Sequence, residues 1–306
     1  MEYQRTQYIQ RLVGKMHNGL IKIITGMRRA GKSYLLFTLF RKYLIDHGVM
    51  PNQIMTIAMD DYANKSLRNP DQLYDAVKKW ATPDQPHYLL IDEVQLLKDF
   101  ESVLNGFLHI PQLDVYVTGS NAKFLSKDII TEFRGRGDEI RLLPLSFAEF
   151  MEGWTGHYLD AWKEYVQYGG LPIVALQSNA QDKSNLLKSL LAETYINDIL
   201  SRHHIKNKAE FETLLNLLAS GIGCLTNPKK LSDCFKTCSQ SAISENTIRS
   251  YIDYLMDAFL ISEANRYDIK GKKYISAPLK YYFCDIGIRN ARINFRQLEE
   301  SHADWM

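Results

Sequence analysis

The segment GMRRAGKS at residues 26–33 restricts the possible folds of this chain more than any other segment, because it matches the pattern G-x-x-x-x-G-K-[S/T] in full. The apolar run LIKII precedes it, and apolar residues at helical spacing follow it between positions 35 and 43. A loop between a strand and a helix can present a curved row of backbone N–H groups to a phosphate, and glycine permits the backbone angles that this requires. The pattern therefore predicts a phosphate-binding loop in an α/β fold.

Residues within and next to this loop are predicted to bind a nucleotide. They are Gly26, Arg28, Arg29, Ala30, Gly31, Lys32, Ser33 and Tyr34. Lys32 is expected to reach the β- and γ-phosphates and to act in catalysis, and the Ser33 hydroxyl is expected to bind Mg²⁺. For the two arginines three roles stay open, which are contact with phosphate, pairing with acidic residues of another domain, and plain solvation.

A second motif, YLLIDE at residues 88–93, is typical of a buried strand that ends in two acidic residues. Asp92 is expected to bind Mg²⁺ on the side opposite Ser33, and Glu93 is expected to orient a water molecule for attack on the γ-phosphate. The order Asp-Glu favours hydrolysis over transfer of the phosphoryl group. The alternative is an acidic pair in a surface loop.

Polar residues also follow the next apolar strand, at 115–118. Ser120 or Asn121 would lie between Asp92 and the γ-phosphate and hold the attacking water. Alternatively, these residues cap a helix at 122–127, and the two roles are compatible.

Two arginines, Arg134 and Arg136, lie in the Gly-flanked segment FRGRG. An arginine that reaches the γ-phosphate stabilises the charge that develops in the transition state. Either residue could supply that charge, within one chain or from a neighbouring chain. Surface salt bridges are the alternative.

Composition and charge exclude several classes of protein. The 306 residues carry 37 Lys plus Arg against 35 Asp plus Glu, so the formal charge of +2 provides no overall basic field for nucleic acid. The longest nearly apolar stretch, at 214–225, is too short to cross a membrane, and the first residues do not form a secretory signal. The four cysteines lack CxxC spacing, which indicates reduced thiols in a cytoplasmic protein.

Apolar runs alternate with helical segments in the first half of the chain and predict a parallel sheet covered by helices. The predicted strands are 20–25, 54–59, 88–91, 115–118 and 139–143. After GGLP at 169–172 the spacing becomes mostly helical. We therefore predict a phosphate-loop ATPase domain at 1–155, a helical connector at 156–204 and a winged-helix-like domain at 205–306.

The predicted winged helix consists of two helices around a turn and a hairpin near residues 270–273. Ser244 is expected to cap the second helix. The residues expected to face a small core are Leu231, Phe235, Ile248, Ile252 and Leu255. The outward residues of the second helix mix acidic and basic groups, so packing of this domain as a lid over the nucleotide is favoured over DNA binding. A protein partner and DNA both stay open.

Taken together, several segments resemble the AAA-type ATPases that carry a C-terminal DUF4143 domain. These segments are ITGMRRAGKS, YLLIDEVQ, VTGSNAKFLS, EFRGRG with RLLPLSFAEF, YGGLP and TYINDILSRH. The resemblance covers nearly the whole chain and implies a five-stranded parallel sheet of the additional-strand type, Mg²⁺-dependent ATP hydrolysis, and coupling of nucleotide state to a helical and winged-helix module. By position, it implies that Lys32 and Ser33 belong to the phosphate loop, Asp92 and Glu93 to the acidic strand end, and Arg134 or Arg136 to the arginine segment.

The chain departs from that family near its end. Members of the family usually continue past the segment that here reads LKYYFCDIGIRNARINFRQLEESH into a domain resembling restriction-type nucleases, and the final ADWM does not resemble that continuation. We expect a shortened member without nuclease-like chemistry. A nucleotide-gated binding protein that hydrolyses ATP slowly or not at all is the alternative to an active ATPase.

Overall fold

The computed structural model describes residues 3–119, 135–238, 243–265 and 279–294. The chain divides into two compact units, residues 2–143 and 144–306. This division falls before the predicted boundary at 155, and that boundary and the one at 204 stay predictions. Within the described ranges, no helix combines the length and apolar character needed to span a membrane.

The first unit is built on a five-stranded, wholly parallel sheet. Its strands are β1 (Ile21–Gly26), β2 (Ile54–Ala58), β3 (His87–Asp92), β4 (Leu113–Thr118) and β5 (Gly137–Leu142). The spatial order is β2-β3-β4-β1-β5, so β4 is inserted between the strand before the phosphate loop and the strand that ends in Asp92. The predicted α/β class with an additional strand is confirmed, and every predicted strand end lies within two residues of the observed one.

Helices pack on both faces of this sheet. They are α1 (Thr6–Val13), α2 (the continuous helical run Lys32–Tyr34, Leu35–Phe40 and Arg41–Asp46), α3 (Pro70–Trp80) and α4 (Phe100–Phe107). On one face, Ile23 and Ile91 of the sheet belong to a buried apolar cluster with residues of α3 and α4. On the other face, Phe40 of α2 contacts Tyr116 of β4 with ring centroids 4.6 Å apart. Burial on both faces explains why β1 and β3 carry adjacent apolar residues, at 23–24 and at 88–91, rather than alternating ones.

The second unit is mainly helical, as predicted for this part of the chain. Its helices are α5 (Phe147–Glu152), α6 (Tyr158–Tyr168), α7 (Pro172–Ala175), α8 (the continuous run Ala180–Ser189, Leu190–Ile196 and Asn197–Arg202), α9 (Lys208–Ser220), α10 (Pro228–Cys238), α11 (Glu245–Asp257) and α12 (Ile286–Arg292). Two short strands, β6 (Ile261–Ala264) and β7 (Lys280–Phe283), form an antiparallel pair. An isolated bridge joins Thr226 to Leu279.

The helices α10 and α11 correspond to the predicted pair of helices around a turn. Ser244 caps α11, because its side-chain oxygen accepts a hydrogen bond from the backbone N–H of Thr247 at 3.1 Å. The residues predicted to face the small core, Leu231, Phe235, Ile248, Ile252 and Leu255, are all buried. The predicted hairpin near residues 270–273 lies outside the described residues, so the winged-helix assignment stays a prediction.

A buried carboxylate joins two distant segments of the second unit. Asp285 caps α12 by accepting from the backbone N–H of Ile288 at 3.0 Å, and its other oxygen accepts from the N–H of Gly170 at 2.8 Å. At Gly170 a Cβ would overlap the carbonyl oxygen of Leu145, and at Gly287 it would overlap that of Tyr168. These close approaches explain the glycines, because a side chain at either place would push the segments apart.

Candidate nucleotide-binding site

The phosphate loop leaves β1 through two glycines in backbone conformations that other residues rarely adopt. Gly26 has φ of +138° and Gly31 has φ of +95°. A Cβ on Gly26 would also overlap the carbonyl oxygen of Leu142 at the end of the neighbouring strand β5. The sequence GMRRAGKS therefore forms the tight strand-to-helix connection that its pattern predicts.

Lys32, the first residue of α2, lies inside this loop. Its ammonium group donates hydrogen bonds to the carbonyl oxygens of Gly26 at 3.0 Å and Met27 at 3.1 Å, and only 6% of the residue is exposed. Burial lowers the pKa of Lys32 to about 8, although the charges of Glu93 and Asp92 raise it in part. The structure thus brings the predicted lysine close to both predicted acidic residues.

Asp92 ends β3 at the same edge of the sheet and is 5% exposed. Its carboxylate accepts hydrogen bonds from the hydroxyls of Thr118 and Ser33. Burial is the main reason that the pKa of Asp92 lies above its usual range, and the nearby charges of Glu93 and Asp60 raise it further. Ser33 and Asp92, the two residues predicted to bind Mg²⁺, are therefore neighbours.

The hydroxyl of Ser33 and the carboxylate of Asp92 fit a magnesium ion in their chemistry. Mg²⁺ prefers oxygen ligands and is commonly held by one or two protein groups together with phosphate oxygens and water. Among the described residues, no three His, Cys, Asp or Glu side chains form a cluster that could hold a metal ion without such help. The donor set suits an ion that arrives with a nucleotide.

Glu93 directly follows β3, and its backbone adopts a left-handed conformation with φ of +51°. Its N–H donates to the hydroxyl oxygen of Thr118 at 3.2 Å. One of its carboxylate oxygens accepts a hydrogen bond from the side-chain amide of Gln95, whose own carbonyl oxygen is buried without a hydrogen-bond partner. The glutamate that is predicted to orient water is thus held by a neighbour two residues away.

Sequence reasoning missed Thr118, which lies between the two acidic residues. Its single hydroxyl accepts from the backbone of Glu93 and donates to the carboxylate of Asp92, and the residue is fully buried. Thr118 is the last residue of β4, and the order of the sheet puts that strand beside β3. The signal was therefore present in the polar end of this strand, but the prediction chose Ser120 or Asn121, two or three residues later.

Three predicted residues, Ser120, Asn121 and Arg134, lie outside the described part of the chain, and their roles stay predictions. Arg136 is described and lies at the amino ends of the strands, whereas the phosphate loop lies at their carboxyl ends. Its carbonyl accepts from the N–H of Ile21 at 2.9 Å, at the start of β1, and its exposed guanidinium donates to Asn105 at 3.5 Å. The structure therefore does not bring Arg136 to the phosphate loop of its own chain.

The remaining predicted loop residues differ in burial. Ala30 is fully buried, Arg28 is half-buried and lowers the pKa of Lys32 through its charge, and Arg29 is exposed with φ of +65°. Tyr34 is 43% exposed on the first turn of α2. Their contacts with a nucleotide stay predictions.

Comparisons with known families agree with the division of the chain into two units. Residues 18–151 match the model of an AAA domain, and residues 159–299 match that of a domain of unknown function, DUF8612. The AAA part of the expected resemblance is confirmed. The C-terminal match is to DUF8612, and DUF4143, which the resemblance named, is not shown for this region.

Two relatives extend over nearly the whole chain. An uncharacterized protein of Haemophilus influenzae is 32% identical over 295 residues, which cover 94% of this chain and 73% of that protein. The uncharacterized protein MJ1544 of Methanocaldococcus jannaschii is 28% identical over 291 residues, which cover 90% of this chain and 62% of the relative.

Overlays on solved structures are weak. The Aeropyrum pernix ORC1 protein, solved in complex with DNA, overlaps with a TM-score of 0.36 at 12% identity, over 96% of this chain and 93% of that one. AMPPCP-bound DnaA from Aquifex aeolicus overlaps with a TM-score of 0.37 at 15% identity, over 84% and 88% of the two chains. Scores this low support no inference about function.

The relationship to the Haemophilus influenzae protein is strong enough to assign a family, because it combines 32% identity with coverage of most of both chains. The two family matches divide the chain in the same order as its folded units, with the sheet first and the helices second. The chain belongs to the family of this uncharacterized protein, and it carries an AAA domain followed by a DUF8612 domain.

Proposed function

We propose that this chain is a Mg²⁺-dependent ATPase whose hydrolysis of ATP is coupled to movement of its C-terminal unit. The observation that carries the proposal is the meeting of Lys32, Ser33, Asp92 and Glu93 at the carboxyl edge of one parallel sheet. An ammonium group, a hydroxyl and two carboxylates beside a phosphate loop are the groups that this chemistry uses. The match of residues 18–151 to an AAA domain supports it.

Each of these residues has a role that follows from its position. The ammonium group of Lys32 now donates to two neutral carbonyls, and phosphate oxygens offer it stronger, charged acceptors. Ser33 and Asp92 would hold Mg²⁺, which when bound neutralises charge on the phosphates. Glu93 orients a water molecule and accepts its proton as that water attacks.

Phosphate release and ATP binding, measured on the same preparations, test the proposal. Lys32→Ala is expected to lose ATP binding, whereas Glu93→Gln should bind ATP normally and release phosphate about 100-fold more slowly. Lys42→Ala is a matched control, because Lys42 is an exposed residue of the same helix. Normal turnover in Glu93→Gln would remove Glu93 from this role, and failure of the unmodified chain to bind ATP would remove the function itself.

The second candidate is a nucleotide-gated binding protein that hydrolyses ATP slowly or not at all. The hydrogen bond from Gln95 to the carboxylate of Glu93 favours it, because a glutamate that is already bonded is less available to a water molecule. If the second candidate function is correct, the unmodified chain binds ATP tightly but releases no more phosphate than Glu93→Gln does. The same two measurements therefore separate the candidates.

For the partner of the C-terminal unit we favour a protein over DNA. The exposed residues of α11 include Glu245, Arg249 and Asp253, so this helix offers a phosphate backbone as much repulsion as attraction. Binding to duplex DNA that weakens steeply with salt, and that differs between the ATP-bound and nucleotide-free protein, would reverse this preference.

A further inference from the structure

A buried arginine from the N-terminal segment donates a hydrogen bond to the backbone of the phosphate loop. Arg5 immediately precedes α1, is 3% exposed, and has a left-handed backbone with φ of +51°. One terminal nitrogen of its guanidinium donates to the carbonyl oxygens of Ala30 at 2.9 Å and Leu143 at 2.7 Å. Burial of a charge and an unusual backbone both cost free energy, so this arrangement needs compensating contacts.

The contact with Ala30 acts on the peptide unit that joins Ala30 to Gly31. Because this peptide is trans, its N–H points away from its carbonyl oxygen, and therefore away from Arg5. The N–H of Gly31 therefore lies on the side of the peptide opposite Arg5, and we expect that side to face the phosphate. A charged donor on the carbonyl also polarises the peptide and strengthens its N–H as a donor.

The contact with Leu143 ties the loop to the end of β5. The N–H of Leu143 donates to the hydroxyl of Tyr8 at 3.1 Å, and the guanidinium of Arg5 lies over the Tyr8 ring at 5.3 Å. The preceding carbonyl, that of Leu142, packs against Gly26 at the start of the loop. The start of the phosphate loop, at Gly26, thus packs against Leu142, and Arg5 joins its later part, at Ala30, to Leu143. Both parts of the loop contact the same short stretch of backbone at the end of β5.

We propose that Arg5 is a positioning residue that holds the phosphate loop in its nucleotide-binding shape through the peptide between Ala30 and Gly31. This inference rests on the proposed function, because it concerns the same phosphate site. It predicts that loss of the guanidinium weakens binding of ATP and leaves the chemical step, which belongs to other residues, largely intact.

The test compares Arg5→Met with Arg11→Met. Arg11 is the matched control because its guanidinium lies over the same Tyr8 ring, at 5.4 Å, but the residue is exposed on α1. We expect Arg5→Met to raise the Kd and KM for Mg·ATP by about tenfold, because the peptide that carries the N–H of Gly31 is no longer held, with kcat nearly unchanged. Arg11→Met should bind ATP like the unmodified chain.

A purely structural role of Arg5 predicts a different result. In that case Arg5→Met lowers the melting temperature of the nucleotide-free protein, but the folded fraction binds ATP with unchanged Kd, which would overturn the proposal. Equal weakening by Arg11→Met would overturn it as well. If Arg5→Met does not fold, Arg5→Lys keeps the charge and is expected to weaken binding in the same direction but less, and unchanged Kd in a folded Arg5→Lys contradicts the proposal.

The outcomes also separate this inference from the proposed function. If the unmodified chain and Arg11→Met bind no ATP, the ATPase proposal fails and the role of Arg5 fails with it. If both bind ATP and Arg5→Met binds it equally well, only the role of Arg5 fails.

Discussion

The single hydroxyl of Thr118 makes two hydrogen bonds that organise the acidic end of β3. It donates to the carboxylate of Asp92, which would hold Mg²⁺, and accepts from the backbone N–H of Glu93, which adopts a left-handed conformation. One side chain thus fixes the position of the acidic residue expected to bind metal and the backbone of the one expected to orient water.

Thr118→Val removes this hydroxyl at almost constant volume. Because both hydrogen bonds are lost, we expect kcat for ATP hydrolysis to fall by about 10- to 100-fold while ATP still binds. Thr118→Ser is the matched control, since it keeps the hydroxyl and should retain most of the activity. Full activity in Thr118→Val would show that neither hydrogen bond matters to the reaction.

The pKa of Lys32 gives ATP binding a defined dependence on pH. Burial lowers this pKa to about 8, so the ammonium group of the nucleotide-free protein loses its proton increasingly above that pH. Phosphate favours the charged form, so binding of Mg·ATP at about pH 9 should take up protons, and affinity should fall as the pH rises through about 8. Calorimetry in two buffers of different ionisation enthalpy measures the uptake, which should be nearly absent at about pH 7.

At the scale of residues, the motif side chains could be predicted from the sequence. The residues that hold them in position could not. Lys32, Ser33, Asp92 and Glu93 follow from short patterns, because the chemistry of a phosphate site requires those side chains at those spacings. Thr118 is one of several polar residues at the end of its strand, and Arg5 belongs to no motif. Their positions beside Asp92 and Ala30 depend on which strand and which helix become neighbours after folding.

At the scale of elements, the start of α12 depends on the carboxylate of Asp285. The residue is 3% exposed, accepts from the backbone N–H groups of Gly170 and Ile288, and has further backbone donors at Gly287 and Leu171. Asp285→Ala would leave several buried N–H groups without an acceptor. We expect it to lower the free energy of unfolding by about 3 kcal/mol or more, measured by urea denaturation.

Asp233→Ala is the control for Asp285→Ala. Asp233 lies on α10 and forms an exposed ion pair with Lys236, at 3.4 Å, so its loss should change the stability by about 0.5 kcal/mol or less. Equal effects of the two substitutions would contradict the role of Asp285 as a buried cap.

Asp285 also predicts how stability depends on pH. Burial raises its pKa from 3.8 to about 6, so between these values the folded protein holds a proton that the unfolded chain has lost. The contribution of this group to stability is therefore greatest below pH 3.8 and decreases as the pH rises to about 6. Asp285→Asn cannot titrate, so the difference in unfolding free energy between it and the unmodified chain should change over this interval and stay constant above it.

On the scale of the whole sheet, Lys32 lies at the carboxyl ends of the parallel strands and Arg136 lies at their amino ends. The six residues of β5 separate these two ends by about 20 Å, at roughly 3.3 Å per residue. This distance is greater than the length of an arginine side chain. If Arg136 contributes to hydrolysis, it therefore acts on a nucleotide held by another copy of this chain.

Mixing two inactive variants tests this arrangement. Arg136→Ala and Glu93→Gln should each bind ATP and release phosphate slowly, but in a mixture one copy supplies the intact arginine and the other the intact glutamate. Activity of the mixture well above that of either variant is the expected result. No recovery at concentrations where the chains associate, or full activity of Arg136→Ala alone, would exclude Arg136 from catalysis.

The amino-acid sequence alone was sufficient to predict the class of the first unit and its phosphate loop, because glycine, lysine and serine at fixed spacing between a strand and a helix leave few other folds open. It also indicated the central strands, since burial on both faces favours adjacent apolar residues. The folded structure was needed to show that Thr118 joins Asp92 to Glu93 and that Arg136 lies at the amino ends of the strands, away from the phosphate loop. These facts depend on which segments pair across long stretches of chain, and short patterns carry no information about such pairing.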